Sequence, residues 1–169
     1  MATSIINTDD GAVSGTSGLK TTGGNDGVLY IQNNGTTNVT VTATGDVGIG
    51  TSSPSTKLYV SGGSAASAIG TLTDGATITP DFDTANLFTV TLGGNRTMAN
   101  PSNIVAGQSG SIFIVQDGTG SRTLAWGSYW DFAGGTAPTL STTASAVDRI
   151  DYVVRSATSI HTVFTANYS

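Results

Sequence analysis

The segment Gly45–Val60, GDVGIGTSSPSTKLYV, combines the closely spaced glycines, hydroxyl residues and lysine that phosphate-binding loops use. Such a loop needs a lysine directly after its last glycine and a helix whose N-terminus faces the anion. Here Lys57 lies far beyond Gly50, and a proline among β-branched and small residues disfavours a helix. The spacing therefore favours an architectural role, in which Gly45, Gly48 and Gly50 permit sharp turns or the close approach of another chain.

Four aromatic residues in the C-terminal half form the second candidate site: Trp126, Tyr129, Trp130 and Phe132. Aromatic faces stack on sugars, so this group is a candidate glycan platform. The same side chains are the largest of this half, and each can bury about 150–250 Å² in a core. We favour a core or a subunit interface over a glycan site for this group.

Carboxylates and histidine offer little further chemistry. Asp81 and Asp83 have the hard oxygens that calcium prefers, but two carboxylates after a proline more often begin a turn. His161 lies in a predicted strand, where a structural or interface role is expected. The motifs of this sequence contain no catalytic residue, no cofactor-binding residue and no metal ligand, so we expect a protein that is not an enzyme.

Composition narrows the class of protein. The 169 residues include 23 glycines and no cysteine, charged residues make up 10%, and the net charge is −5. The acidic balance argues against a nucleic-acid partner, and no apolar run is long enough for membrane insertion. Because glycine and β-branched residues disfavour helices while threonine, valine and isoleucine favour strands, the composition predicts an all-β protein.

The chain has two textures. Residues 1–63 are poor in large apolar groups, and short strands are predicted at 27–32, 38–44, 47–49 and 58–60, with Asn34-Gly35 as a hairpin turn. In residues 38–44, valines alternate with threonines, so one face is expected to be buried and the other wetted. Residues 64–75 are small and are predicted to be a linker.

Residues 76–169 contain longer, better-filled strands separated by polar turns. Strands are predicted at 87–92, 111–116, 122–126, 149–154 and 160–165. In the strand at 149–154, Ile150, Tyr152 and Val154 share one face, which is expected to be buried, and charged residues occupy the other. This pattern is typical of a compact antiparallel β-sandwich or jelly-roll-like head. The sequence thus predicts an extended N-terminal β region for attachment and oligomerisation, a linker, and a C-terminal head.

The N-terminal region would be only marginally stable as a single copy. A hairpin with few large side chains buries little apolar surface, and its glycines have a high ordering cost. Several copies that wrap around each other would bury their thin apolar faces together. We therefore expect a homotrimer with an interwoven N-terminal region.

Two parts of the chain resemble known virus proteins. VGIGTSSPSTKLYVSG (Val47–Gly62) resembles a segment that recurs in bacteriophage fibre and spike proteins. The C-terminal half resembles a module common in phage virion proteins, with the matching pieces TVTLGGNRTMANPSN (Thr89–Asn103), QDGTGSRTLAWGS (Gln116–Ser128) and GGTAPTLSTTASAVDRIDYVV (Gly134–Val154). The resemblance implies an elongated, trimeric, β-rich virion component that is assembled in the host bacterial cytoplasm.

Three functions follow from this resemblance. The first is a head-fibre protein that decorates or cements the capsid, with the N-terminal region bound to the major capsid protein or another virion protein. The second is a receptor-binding tail fibre or tailspike-associated protein that recognises host surface glycans. The third, a polysaccharide-cleaving enzyme, would need paired carboxylates in a cleft, and the sequence does not supply such a pair. We expect the first.

Overall fold

A computed structural model describes residues 28–33 and 36–168. The chain divides into two compact units, Met1–Ala66 and Ser67–Ser169. In the first unit four strands form one sheet in sequence order: β1 (Leu29–Asn33), β2 (Thr36–Val41), β3 (Val47–Ile49) and β4 (Leu58–Val60). The β1–β2 and β2–β3 pairs are antiparallel, and β3–β4 is parallel. The predicted turn residues Asn34 and Gly35 lie outside the described residues.

The second unit has nine strands in two sheets. They are β5 (Ile69–Thr71), β6 (Thr77–Ile78), β7 (Leu87–Leu92), β8 (Arg96–Met98), β9 (Ser109–Gln116), β10 (Leu124–Trp126), β11 (Trp130–Phe132), β12 (Val147–Ser156) and β13 (Ser159–Thr165). Six strands form one sheet in the order β11-β13-β12-β9-β7-β5, and three form another in the order β10-β8-β6. The described residues contain no α-helix, only a short 3₁₀ turn at Ala133–Gly135, which confirms the predicted all-β class.

Strand direction differs from the antiparallel head that the sequence predicted. In the second unit, the antiparallel pairs are the two that β12 makes, with β9 on one side and β13 on the other. The other pairs of the larger sheet, β7–β9, β5–β7 and β11–β13, are parallel, as are both pairs of the smaller sheet. The short strands β5, β6, β8 and β11 were not predicted, and β5 lies within residues 64–75, the predicted linker.

One hydrophobic core joins the two sheets of the second unit. Alternate residues of the longest strand supply its centre: Ile150, Tyr152 and Val154 are buried, while Arg149 and Asp151 on the other face are half-buried and paired. This confirms the face that the sequence predicted for β12. The smaller sheet contributes Ile78, Met98 and Leu124 to the same core. The two sheets therefore share one core, and the loops that connect their strands are anchored to it.

Buried polar groups fix the turns of this unit. Gln116 accepts from the Arg122 backbone N–H at 2.7 Å and donates to the Arg122 carbonyl at 3.0 Å. Arg122 also binds the Asp117 carboxylate through two nitrogens at 2.7 and 3.0 Å, and this pairing is the main cause that lowers the pKa of Asp117 to about 2. Asp148 is buried and accepts from Ser141 and from the Asn167 backbone. The sequence predicted polar turns between the strands of this unit, but it did not indicate these side-chain contacts.

Candidate binding surfaces

The glycine segment of the first unit forms turns. Gly45 and Gly50 have positive φ values of 77° and 72°, which glycine adopts at little cost. Lys57 lies 2.6 Å from an Asp46 carboxylate oxygen and donates to the Thr44 carbonyl at 2.9 Å. The hydrogen bond from Lys57 is the largest effect that lowers the pKa of Asp46. The lysine thus binds the turn between β2 and β3.

Gly48 marks a close backbone approach on one face of the first sheet. A β-carbon at Gly48 would lie 2.6 Å from the Thr51 carbonyl oxygen and 3.4 Å from a Pro54 ring carbon. Thr40, which is in register with Gly48, is completely buried, and its hydroxyl has no hydrogen-bond partner. The turn after β3 therefore packs against the face that carries these small and polar residues. The alternation of valine and threonine in β2 predicted one buried and one wetted face, but it did not show which face would be covered.

The opposite face of this sheet is apolar. Residues two apart on a strand point to the same side, so the register places two rows of four aliphatic side chains on one face. These rows are Leu29, Val41, Val47 and Leu58, and Ile31, Val39, Ile49 and Val60. Ile31, Ile49 and Leu58 are 52%, 42% and 64% exposed. The valines and Leu29 are half-buried.

The predicted aromatic group is brought together against the core of the second unit. Trp130 is 5% exposed and donates through Nε1 to the Ala99 carbonyl at 2.9 Å. Trp126 contacts Trp130 and Phe132 edge-to-face, with ring centroids 5.5 and 5.1 Å apart. Trp126, Phe132 and Tyr129 are half-buried and pack on the same core. These ring contacts use much of the surface that a stacked sugar would need, most completely at Trp130.

A shallow groove of about 420 Å³ lies elsewhere in the second unit, beside β5 and β6. Its lining includes Thr71, Thr73, Asp74, Thr77, Thr79 and Asp81. Arg96 donates to both Asp74 carboxylate oxygens at 2.8 and 2.7 Å, and this hydrogen bonding is the main cause that lowers the pKa of Asp74. A row of hydroxyls with fixed carboxylates can hydrogen-bond a polyhydroxylated ligand.

Asp81 and Asp83 form a turn. The Asp83 backbone N–H donates to Asp81 Oδ1 at 3.1 Å, and the Asn103 amide donates to the same oxygen at 2.8 Å. The Asn103 bond is the largest effect that lowers the pKa of Asp81. Within residues 28–33 and 36–168, no group of three or more histidines and carboxylates is placed to hold a metal ion.

His161 is exposed on β13, in register with Asp131 of β11 and Val153 of β12. Asp131 accepts directly from the Ser159 hydroxyl at 2.6 Å. In a Ser-His-Asp triad the imidazole lies between the serine and the carboxylate, whereas here the serine binds the carboxylate directly.

In the part of the chain that the structure describes, no helix is long and apolar enough to cross a membrane.

Comparison with known proteins finds a family model that matches the second unit. Residues 78–159, just under half of the chain and wholly inside the second unit, match the family model described as "Putative phage tail fibre C-terminal domain". No curated protein and no solved structure is detectably similar. The matched range contains all three quoted C-terminal pieces and the aromatic group, whereas the resemblance of Val47–Gly62 stays a prediction. The match supports a bacteriophage virion component, a structural protein of the tail-fibre kind.

Proposed function

We propose that this chain is a non-enzymatic component of a bacteriophage tail fibre and that its second unit is the part that meets the host surface. The observation that carries the proposal is the match of residues 78–159 to a tail fibre C-terminal domain. This choice differs from our sequence-based expectation of a capsid decoration protein. The match favours the tail-fibre alternative, because the matched family description concerns tail fibres and the match covers most of the second unit.

The second unit has the physical properties that such a role requires. Its single core and its fixed turns hold surface residues in place, so a ligand need not order them on binding. We propose host surface glycans as the ligand class. The groove beside β5 and β6 presents threonine hydroxyls and charged carboxylates, which match sugar hydroxyls as hydrogen-bond partners. The proposed contact therefore lies at this groove, because Trp130 is committed to the core.

A glycan array with the purified full chain tests this contact. Thr73 and Thr79 line the groove and are exposed, so the double variant Thr73→Val with Thr79→Val removes two hydroxyls at nearly constant volume. Thr91→Val is the matched control, since Thr91 is exposed on β7 away from the groove lining. We expect a wild-type signal that the double variant loses and the control keeps. A wild-type signal that the double variant retains would place the contact elsewhere, and a flat wild-type array would argue against glycan recognition.

Capsid decoration is the second candidate, supported by the uncovered apolar face of the first unit. In that function a homotrimer would bind the major capsid protein or another virion protein through this unit and stabilise the assembled shell by mass action. Quantitative mass spectrometry of purified particles separates the two candidates. A few copies per particle are expected for a tail fibre. A copy number comparable to the number of capsomer junctions would instead favour decoration, and particles lacking the protein should then resist heat less well.

A further inference from the structure

The apolar face of the first sheet is uncovered, while the middle of the opposite face is covered. Thr40 and Gly48 are buried beneath the turn after β3, whereas Ile31, Ile49 and Leu58 expose about half of their surfaces or more. A sheet with one buried face normally buries its apolar side and leaves the polar side to water. The sheet of this unit is therefore built for a partner that covers the two aliphatic rows.

The area of this face is large enough to support association. The three exposed side chains and the five half-buried ones leave on the order of 500 Å² of contiguous apolar surface, near the upper end of what monomers expose. When two such faces meet, they bury roughly 1,000 Å² in total, which is about the minimum for a stable protein–protein interface. A third copy would add only its own face, about 500 Å², for a total of roughly 1,500 Å².

The chemistry of the face favours a second copy of this chain as the partner. All eight side chains of the two rows are aliphatic, so the face offers no charge that would select a complementary partner. The described residues of the first unit contain one ion pair, Lys57 with Asp46, and both of its charges are paired within the same chain. Flat aliphatic rows are complementary to themselves, and interfaces between identical subunits are the more apolar class.

We propose that the two aliphatic rows on β1–β4 form the surface through which copies of this chain associate. This inference does not depend on where the protein sits in the particle, since a fibre and a capsid decoration protein would both use it. It assigns Leu58 and Ile49 to the subunit interface and leaves Tyr59, on the opposite face, outside it.

Neighbouring residues on β4 provide a matched test. Leu58→Glu adds a charge to the proposed interface, and Tyr59→Glu adds the same charge to the other face of the same edge strand. By light scattering of the full chain, we expect a particle of more than one chain for wild type and Tyr59→Glu, and a single chain for Leu58→Glu. A monomeric wild type, as would result if another segment of the same chain covers the face, overturns the proposal. An oligomer that Leu58→Glu does not weaken overturns it as well.

Cross-linking keeps the test decisive if Leu58→Glu fails to fold. The chain has no cysteine, so Leu58→Cys and Tyr59→Cys each introduce a single thiol. A short bis-maleimide should link two copies of Leu58→Cys into a covalent dimer on a denaturing gel, while Tyr59→Cys should stay largely monomeric. Equal cross-linking of the two variants, or linkage of Tyr59→Cys alone, would assign the interface to another surface.

Discussion

Replacing Trp130 by alanine separates a core residue from a sugar-binding residue. The indole is 5% exposed, its ring contacts Phe82, Trp126 and Tyr152 with centroids 6.2, 5.5 and 6.5 Å away, and its N–H binds the Ala99 carbonyl. Truncating a buried tryptophan to alanine costs about 3–5 kcal/mol. The lost hydrogen bond leaves a carbonyl without this donor, which favours the upper part of that range. Since domains are stable by about 5–15 kcal/mol, the loss is a large fraction of the total.

Urea unfolding measures this loss, and the chain supplies its own control. Both tryptophans belong to the second unit, so the one that remains reports its unfolding by fluorescence. Trp126 lies in the same cluster but is only half-buried, and its Nε1 has no hydrogen-bond partner. We expect Trp126→Ala to cost at least about 1 kcal/mol less than Trp130→Ala, because no hydrogen bond is lost. A loss of less than about 1 kcal/mol in the free energy of unfolding for Trp130→Ala, or a larger loss for Trp126→Ala than for Trp130→Ala, would contradict the core role of Trp130.

Three further predictions concern single groups of the second unit. Gly110→Ala should destabilise by about 3 kcal/mol, because its β-carbon would overlap the Asn86 carbonyl oxygen. Asp117, whose pKa falls from 3.8 to about 2 mainly through Arg122, should stabilise the fold above about pH 4 and lose that contribution as the pH falls toward 2. Burial raises the pKa of Tyr152 from 10.0 to about 12, so stability should fall as the pH rises from 10 toward 12.

Each of these predictions has a direct measurement and control. Thermal unfolding of Gly118→Ala should match wild type within experimental error, since a β-carbon there meets nothing within 4 Å; equal effects of both glycine variants would contradict the clash. Asp117→Asn should flatten the acid limb of the stability curve, and an unchanged limb would remove Asp117 as its cause. Ultraviolet difference titration should show one phenol that ionises late in wild type and is missing in Tyr152→Phe.

Local patterns in the sequence predicted the long strands well. The strand predicted at 87–92 has the bounds of β7, and the alternation of Ile150, Tyr152 and Val154 identified the buried side of β12. These predictions hold because a strand of six or more residues with period-two burial carries its own signal. The strands β6, β8 and β11, with two or three residues each, carry no such signal. They are strands only because distant segments pair with them.

For the candidate surfaces too, the sequence showed residue types but not the contacts that these residues make. The aromatic group was visible as residue types, but its use could not be predicted, since Trp126 and Trp130 differ in burial through contacts made by Ala99 and Phe82 far along the chain. The groove beside β5 and β6 was not predicted at all. Its lining falls within residues 70–88, and this stretch forms a groove only because β5 pairs with β7 and β6 pairs with β8.

Composition and spacing by themselves determined an all-β chain, its long strands and the segment in which glycines turn the backbone, because these properties depend on residues close in sequence. The tertiary structure alone decided which side of each strand is covered. Alternation in β2 separates Thr40 from Val39 and Val41 but does not say which side will meet a neighbour. The turn after β3 packs on the side of Gly48, where no side chain blocks it, and so buries Thr40 and leaves the aliphatic rows outside.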